Sequence, residues 1–343
     1  MIGTGPLPQS APAPESTPPG AAALSAFSRL RDYLRSQILG QEALVERLLV
    51  ALLSDGHLLV EGPPGLAKTR AVKALAHGVE ADFQRVQFTP DLLPADLTGS
   101  EIYRPEEAAF RFQRGPLFHN VILADEINRA PAKVQSALLE AMAERQISVG
   151  AATYPLPPLF MVMATQNPIE QEGTYPLPEA QLDRFMLHVR IDYPDRATTL
   201  KVMALARSEA ISQRELPPPP QRMSQQTVFA ARRAALDLTL ADPVADYIAA
   251  LVDATRRPEP YSAQLRQWLR WGASPRAAIA IERGARARVA RWTRFRHARG
   301  CTGYRSGRAA SSTAHRLHRA GAGRHRRSLR QRAAGPSAGS VRR

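Results

Sequence analysis

One stretch constrains the fold of this chain more than any other. It consists of Gly62, Pro63, Pro64, Gly65, Leu66, Ala67, Lys68 and Thr69. A largely apolar run, 57–61, precedes it, and a segment with helical spacing, 70–78, follows it. A phosphate-binding loop needs this order of strand, glycine-containing loop and helix, because the loop amides and the first N–H groups of the helix point at one anion. The stretch therefore predicts a P-loop α/β domain.

Three residues of this loop have separable roles. Lys68 supplies a mobile positive charge for the β- and γ-phosphates of a nucleotide, and Thr69 supplies a hydroxyl for Mg²⁺. Ala67 stands where the pattern G-x-x-x-x-G-K-[ST] has its second glycine, and we expect it to be tolerated if its φ is negative. The alternative interpretation is a Pro-Gly turn followed by a surface lysine.

Two acids, Asp125 and Glu126, follow the run 120–124, which is continuously apolar after Asn120. Continuous hydrophobicity is typical of a central parallel strand buried on both faces, and active-site residues gather at the carboxyl ends of such strands. Because successive strand residues face opposite ways, Asp125 is predicted to reach Mg²⁺ while Glu126 faces the γ-phosphate. A carboxylate there orients and deprotonates the attacking water. The alternative is a pair of surface acids that cap a strand.

Two more polar residues come after later apolar runs. Asn167 follows the run 159–164, where its amide is suited to contact a γ-phosphate and the attacking water, although an Asn-Pro pair also forms simple turns. Arg184, in the segment 182–185, is a planar cation that suits a phosphate of its own or a neighbouring subunit. A surface Asp-Arg pair at a helix end is the alternative for Arg184.

Arg276 and a short upstream segment complete the set of candidate ligand contacts. Ser274 and Pro275 predict the start of a helix, and an arginine in its first turn opposes the helix dipole, which hints that Arg276 faces an anion. Upstream of the P-loop, two helical patterns are interrupted by Ile38, Leu39, Gly40 and Gln41. This apolar turn is suited either to hold an adenine ring or to pack in the core at a helix junction.

The positive charge of the chain lies almost entirely near its C-terminus. The formal net charge is +15, with 46 Lys+Arg against 31 Asp+Glu. Residues 283–343 contain 18 arginines and no Lys, Asp or Glu, so the rest has 28 Lys+Arg against all 31 acids, a net of −3. The main body is therefore mildly acidic, which argues against a nucleic-acid footprint on the folded part.

Other composition features exclude several classes of protein. The single cysteine, Cys301, rules out a disulfide framework or a thiolate metal cluster. No stretch approaches the roughly 18 to 20 apolar residues of a membrane span, and the N-terminus lacks the features of a signal peptide. We therefore expect a cytoplasmic protein without a membrane span.

The secondary-structure pattern changes along the chain. Residues 1–23 are rich in Pro and Ala and are expected to be disordered, because they bury too little apolar surface to offset their ordering entropy. Two β-hairpins, 101–113 and 146–156, are predicted as insertions into the α/β domain. After the boundary at 193–195 only helical patterns are convincing as far as about 287.

Taken together, these stretches resemble the MoxR group of AAA+ ATPases over about residues 24–286. The resemblance rests on the P-loop with alanine before the lysine and on four further segments, which are specific in combination: 123–130 (LADEINRA), 164–168 (ATQNP), 177–185 (LPEAQLDRF) and 272–277 (GASPRA). It implies an AAA+ core at 24–194, with a five-stranded parallel sheet and two β-hairpin insertions. An all-α lid follows at 195–287.

The resemblance also implies roles for individual residues and for partners. Asn167 resembles the sensor-1 residue, Arg184 the arginine finger offered to the next subunit, and Arg276 the sensor-2 arginine of the lid. The segment 38–41 resembles the adenine-side element. Family members form rings, here expected to be hexamers with ATP and Mg²⁺ at the subunit boundaries. They act as chaperone-like remodelers in complex assembly or metal-cofactor insertion, often with a protein carrying a von Willebrand factor A domain.

Two other functions remain open at this point. Related folds serve as nucleic-acid motors and as motor subunits of metal chelatases. The arginine-rich segment 288–343 is also suited to bind phosphate non-specifically, although it has few aromatic residues for base stacking.

The composition of the segment 288–343 suggests a second hypothesis. Arg-, Ala-, Gly- and Ser-rich sequence without acids is what a GC-rich gene yields out of frame, so the segment is either a disordered tail or a frameshift product beginning near 282–290. In the second case the lid is incomplete. Translation of the gene in its other two frames tests this hypothesis, because only a frameshift predicts a frame that restores helical sequence with balanced charge.

Overall fold

The computed structural model describes residues 19–168, 173–212, 216–217, 219–269 and 271–292. Most of the predicted disordered N-terminus and residues 293–343 of the arginine-rich tail lie outside this part of the chain. The first helix begins at Pro19, within the segment predicted to be disordered, and Ala23 is buried. Alanine has the highest helix propensity of all residues, so an Ala-rich segment next to an amphipathic helix readily extends that helix.

Strands and helices alternate as far as residue 190, and helices follow. The strands are β1 (Leu58–Glu61), β2 (Phe83–Gln87), β3 (Gly99–Arg104), β4 (Ala109–Arg114), β5 (Val121–Asp125), β6 (Gln146–Val149), β7 (Ala152–Pro155), β8 (Met161–Gln166) and β9 (Leu187–Arg190). The helices are α1 (Pro19–Gln37), α2 (Glu42–Leu53), α3 (Lys68–Gly78), α4 (Pro94–Thr98), α5 (Ala132–Glu144), α6 (Glu179–Leu182), α7 (Arg196–Ser212), α8 (Gln225–Leu236), α9 (Asp242–Arg256), α10 (Ala263–Trp268) and α11 (Pro275–Trp292).

The central sheet has five parallel strands in the order β2-β5-β8-β1-β9. The predicted five-stranded parallel core is therefore confirmed. The three inner strands are β5, β8 and β1, and their carboxyl ends lead into Glu126, Asn167 and the P-loop. Parallel neighbours end at the same edge of the sheet, so this strand order brings the three predicted motifs together.

Both faces of the sheet are covered by helices. In β1, Leu58 and Val60 belong to a core cluster that includes residues of α1, α2 and α3, whereas Leu59 belongs to a second cluster that includes residues of α5. This alternation confirms that the continuous apolar runs are strands buried on both faces. The burial holds the strand ends in fixed positions, which a catalytic site requires.

The two predicted hairpins are present as antiparallel pairs, β3 with β4 and β6 with β7. They are joined through aromatic rings: Phe112 of β4 stacks on Tyr154 of β7 with ring centroids 4.1 Å apart. Phe118 packs edge-on against the same Phe112 ring at 5.7 Å. The two insertions therefore form one unit that rests on the core.

The helices after the sheet do not form a wholly separate lid. Helix α8 packs against α1 and α11, and the residue before its cap, Met223, forms an isolated bridge to Val79 of the core. Beyond Ile281, α11 is rich in arginine and small residues, yet Ala287 and Ala290 are both buried. Alanine is small enough to let helices approach closely, so a narrow alanine stripe replaces the expected aliphatic one. Among the described residues, no helix is long and apolar enough to cross a membrane.

A buried histidine fixes the start of the inner strand β1. The Nδ1 atom of His57 accepts a hydrogen bond from the Val162 backbone N–H at 3.0 Å, and the ring packs edge-on against Phe160. Burial lowers the pKa of His57 to about 4, and the nearby charge of Arg145 acts in the same direction. The native state therefore holds this imidazole neutral.

We expect the free energy of unfolding to fall as the pH falls from about 6.5 to about 4, because the unfolded chain protonates His57 in this window and the native state does not. One pKa unit corresponds to about 1.4 kcal/mol, so the loss is on the order of 3 kcal/mol.

His57→Asn keeps an acceptor for Val162 N–H and removes the titration. Urea unfolding at several pH values should give this variant a flatter profile than wild type. The exposed His77→Asn serves as the control, and equal slopes for His57→Asn and wild type would contradict the assignment.

Candidate functional site

The P-loop connects β1 to α3 and surrounds the side chain of Lys68. Lys68 is half-buried, and its Nζ atom donates a hydrogen bond to the Gly62 carbonyl at 2.7 Å. Burial lowers the pKa of Lys68, whereas the charges of Asp125 and Glu126 raise it. The lysine thus lies at the start of an 11-residue helix, close to both predicted acids.

Glycine is required at the first position of the loop. A Cβ atom on Gly62 would lie 2.4 Å from the Ile191 side chain, so the backbone passes too close to the end of β9 for any other residue. By contrast, a Cβ on Gly65 would meet nothing within 4 Å, but the φ of Gly65 is +78°. A left-handed conformation favours glycine at that position.

Ala67 adopts φ +57° and ψ +23°, a left-handed conformation directly before α3. The condition under which alanine was expected to be tolerated here, a negative φ, is therefore not met. The loop keeps the backbone path that glycine usually provides, and alanine is strained there because its Cβ approaches the following carbonyl. The loop of this chain therefore contains a local strain that the usual glycine would not have.

We expect Ala67→Gly to raise the free energy of unfolding by about 1 kcal/mol. Glycine relieves the strain of the left-handed conformation, and the larger conformational entropy that glycine loses on folding offsets part of this gain. Urea unfolding measures this change. Ala143→Gly makes the same chemical change at an exposed, right-handed position of α5 and should instead lose about 1 kcal/mol. A loss of stability at both positions would contradict the strain at Ala67.

Asp125 ends β5 and has both carboxylate oxygens engaged. Thr165 Oγ1 on β8 donates to Oδ1 at 2.6 Å, and Arg85 on β2 donates to Oδ2 from Nη2 at 2.7 Å and from Nε at 3.1 Å. Thr165 also accepts the backbone N–H of Glu126 at 2.9 Å. The two neighbours of β5 in the sheet thus fix the position of Asp125.

Glu126 departs from the predicted geometry of a continuing strand. Its φ is +59°, so the chain turns directly after Asp125 into a short 3₁₀ turn. Gln87 Nε2 donates to Glu126 Oε2 at 2.7 Å, and Arg129 Nη1 donates to the same oxygen at 3.1 Å. The orientation of Glu126 therefore comes from a left-handed backbone, a strained conformation of the kind that clusters at functional sites, rather than from strand alternation.

Four contacts of these acids, with Arg85, Gln87, Arg129 and Thr165, are absent from the sequence prediction. Arg85 and Gln87 alternate on one strand and therefore share a face, and Arg85 Nη2 also donates to Gln87 Oε1 at 2.9 Å. The alternation is visible in the sequence, but the pairing of β2 with β5 is not. Thr165 could have been found from its position next to the Gln-Asn-Pro segment.

Asn167 lies where the sequence predicts it. It is buried directly after β8, and the preceding residue, Gln166, accepts the Gly62 backbone N–H at 3.3 Å through its carbonyl. The first residue of the P-loop is therefore hydrogen-bonded to the residue before Asn167. Asn167 thus lies at the same sheet edge as the P-loop and the acids.

Arg184 is partly buried against α5 in its own chain. Its Nη1 atom donates to the Leu139 carbonyl at 2.6 Å. The preceding residue, Asp183, accepts a hydrogen bond from Ser274 Oγ at 2.5 Å, and Ser274 Oγ accepts the Arg276 backbone N–H at 3.1 Å. Ser274 therefore acts as the predicted cap of α11, with Arg276 exposed in the first turn.

The segment 38–41 joins α1 to α2. Ile38 is only 1% exposed and belongs to the main core cluster, whereas Leu39 is half-buried. Gln41 Nε2 donates to the Asp192 carbonyl at 3.0 Å, and a Cβ on Gly40 would clash with the Thr198 side chain at 2.4 Å. Core packing thus accounts for Ile38, and the segment is held against the start of α7.

The residues at this sheet edge fit a nucleotide with Mg²⁺. The start of α3 presents unpaired N–H groups and Lys68 to phosphate oxygens, and Thr69 and Asp125 supply hard oxygen ligands. The described part of the chain contains no group of three or more metal-ligating side chains. Mg²⁺ is usually held by one or two protein ligands together with phosphates and waters.

Comparisons with known proteins agree with this geometry. Residues 57–187 match the family model of the ATPase family associated with various cellular activities (AAA). The chain is 45% identical to Chaperone MoxR1 of Mycobacterium tuberculosis, over 80% of this chain and 73% of that protein. It is 29% identical to Protein MoxR of Methylorubrum extorquens, over 79% of this chain and 83% of that protein.

A solved structure supports the same conclusion at the level of the fold. The crystal structure of a protein from Cytophaga hutchinsonii, described as an ATPase, aligns with a TM-score of 0.71 and 43% identity. The alignment covers 80% of this chain and 82% of that chain. With its P-loop, its parallel sheet and its close relatives, this chain belongs to the MoxR group of AAA+ ATPases.

Proposed function

We propose that this chain hydrolyses ATP as its Mg²⁺ complex and uses the energy as a chaperone-like remodeler of a protein client. The observation that carries the proposal is the convergence of the P-loop, Asp125, Glu126 and Asn167 at the carboxyl edge of one parallel sheet. Phosphate-binding, metal-binding and water-activating groups are the parts that phosphoryl transfer to water requires.

Each residue at this edge has a proposed role. Lys68 and the N-terminus of α3 bind the β- and γ-phosphates, and Thr69 with Asp125 holds Mg²⁺, which neutralises the charge that develops on the phosphates. Glu126 orients and deprotonates the attacking water once its carboxylate leaves the contact with Gln87. Asn167 contacts the γ-phosphate and the water through its amide.

Two arginines are proposed to complete the site. Arg276 in the first turn of α11 reaches the nucleotide from the lid. Arg184 serves as the arginine finger of the neighbouring subunit in a ring, which we propose to be a hexamer with ATP at the subunit boundaries. The name of the Mycobacterium relative, a chaperone, supports a protein client. We propose complex assembly or metal-cofactor insertion as the task and a protein with a von Willebrand factor A domain as a partner.

A comparison of two trapped states tests the function. Tagged full-length Glu126→Gln, which is expected to hold ATP, and Lys68→Ala, which is expected to lose nucleotide affinity, are expressed in the native cell. Captured proteins are then identified by mass spectrometry. We expect the client and the partner to be enriched on Glu126→Gln and absent from Lys68→Ala. Identical sets of proteins on both variants, or nucleic acid as the only nucleotide-dependent partner, would contradict a remodeler of proteins.

A further inference from the structure

A hydrogen bond joins the ATPase core to the lid beside the proposed arginine finger. Ser274 Oγ donates to Asp183 Oδ1 at 2.5 Å and at the same time accepts the Arg276 backbone N–H at 3.1 Å. An O–H···O⁻ bond of this length is charge-assisted and roughly twice as strong as a neutral one. The serine thus connects a core carboxylate to the first turn of α11 through a single hydroxyl.

The core side of this connection is firmly held. The Asp183 backbone N–H donates to the Glu179 carbonyl at 2.9 Å, and Phe185 is buried in the core cluster next to α5. Between them, Arg184 Nη1 donates to the Leu139 carbonyl of α5 at 2.6 Å. Asp183 therefore stands on a fixed base and shares one short segment with Arg184.

The lid side is held by the end of α9. The Ala273 backbone N–H donates to Thr255 Oγ1 at 2.8 Å, and Arg256 Nε donates to the Ala273 carbonyl at 2.7 Å. A Cβ on Gly272 would lie 2.7 Å from the Arg256 side chain, so the chain is closely packed there. The start of α11 is therefore enclosed between α9 and Asp183.

The middle of α11 has its own attachment to the core. Ser54 Oγ donates to the Arg283 carbonyl at 3.3 Å, and Ala287 and Ala290 are buried beyond it. Removal of the Asp183 contact should therefore release only the first turns of α11, while the rest of the helix stays packed against the core. Asp183 also places a negative charge at the N-terminus of an 18-residue helix, which the helix dipole favours.

We propose that Asp183 is a positioning residue that holds the first turn of α11 through Ser274 and thereby sets where Arg276 stands over the nucleotide. Arg184 follows Asp183 directly. The contact between Asp183 and Ser274 therefore links Arg276, which belongs to the nucleotide site of its own subunit, to Arg184, which is offered to the site of the next subunit. The inference rests on the proposed function, since it needs ATP to bind at the P-loop.

The test measures the affinity of the full-length protein for the fluorescent probe N-methylanthraniloyl-ATP. Asp183→Ala and Ser274→Ala are each expected to weaken binding roughly 5-fold or more, in the range of typical coupling between sites. In an Arg276→Ala background neither change should weaken binding further, because both act through Arg276. Ser274→Thr keeps the hydroxyl and should bind like wild type.

Ser262→Ala is the matched control. Ser262 Oγ caps α10 by accepting the Gln264 backbone N–H at 3.2 Å, so its loss removes a lid cap of the same kind. We expect Ser262→Ala to bind the probe like wild type, and thermal unfolding of all variants reports their stability. If Asp183→Ala does not fold, Ser274→Ala carries the test, because it removes the bridging hydroxyl and leaves Asp183 in place.

Two results would overturn the inference but leave the proposed function standing. One is wild-type affinity for the probe in Ser274→Ala. The other is a loss of affinity in Asp183→Ala or Ser274→Ala that adds fully to the loss caused by Arg276→Ala. Failure of the wild-type protein to bind the probe would instead overturn the proposed function, and the inference with it. The two failures are therefore distinguishable in the same experiment.

Discussion

Glu126→Gln is expected to bind ATP with near wild-type affinity and to hydrolyse it roughly 10² to 10⁴-fold more slowly, the usual contribution of a general base. The amide has the size of the carboxylate, so the contact with Gln87 at 2.7 Å can be kept while the ability to take a proton is lost. Phosphate release gives the rate, and equilibrium binding of a labelled nucleotide gives the affinity.

The control for this prediction is Glu140→Gln, which makes the same change at an exposed position of α5. It should hydrolyse ATP at the wild-type rate. Hydrolysis by Glu126→Gln at the rate of the control would end the assignment of Glu126 as the base. Weak nucleotide binding by Glu126→Gln would instead indicate that the residue positions the loop.

Arg184→Ala is expected to bind ATP normally and to lose on the order of 10³-fold or more in hydrolysis, the typical contribution of an arginine finger. The substitution also removes the hydrogen bond to the Leu139 carbonyl, which should cost about 1 kcal/mol of stability. Phosphate release and urea unfolding separate the two effects. Arg190→Ala, at a side chain that is 80% exposed, is the control and should change neither quantity.

Mixed rings decide whether Arg184 acts on its own subunit or on the next. An Arg184→Ala subunit has an intact P-loop, and a Lys68→Ala subunit has an intact arginine, so neighbours in a mixed ring can form complete sites. We expect partial recovery of hydrolysis when the two variants are mixed. Mixed rings that form but show no recovery at any ratio would mean that Arg184 acts within its own chain or only stabilises α5.

The fold could be predicted from local patterns because each strand of the core carries its own signal. Within the run 120–124, positions 121–124 are all apolar, and the structure buries them on both faces, as predicted. The order of the strands carries no such local signal, since it depends on which apolar runs pair in space. For this reason the sequence predicts Asp125 and Glu126 but not their contacts with Arg85 and Gln87 on a neighbouring strand.

Backbone conformation was the second limit of the prediction. Ala67 and Glu126 both have a positive φ, at 57° and 59°, although neither residue type favours it. Such conformations persist only where the surrounding structure determines them, so propensity alone predicts the opposite. Small side chains were the third limit: Ala287 and Ala290 pack in the core, but alanine gives little amphipathic signal.

ATP hydrolysis at the P-loop is the central activity proposed for this chain, and phosphate release by the purified full-length protein with Mg²⁺ and ATP measures it directly. We expect steady release by the wild-type protein, none without Mg²⁺, and none from Lys68→Ala, whose loss of the phosphate-binding charge removes nucleotide affinity. Equal release by wild type and Lys68→Ala, or no release by wild type at any protein concentration that allows rings to form, would contradict it.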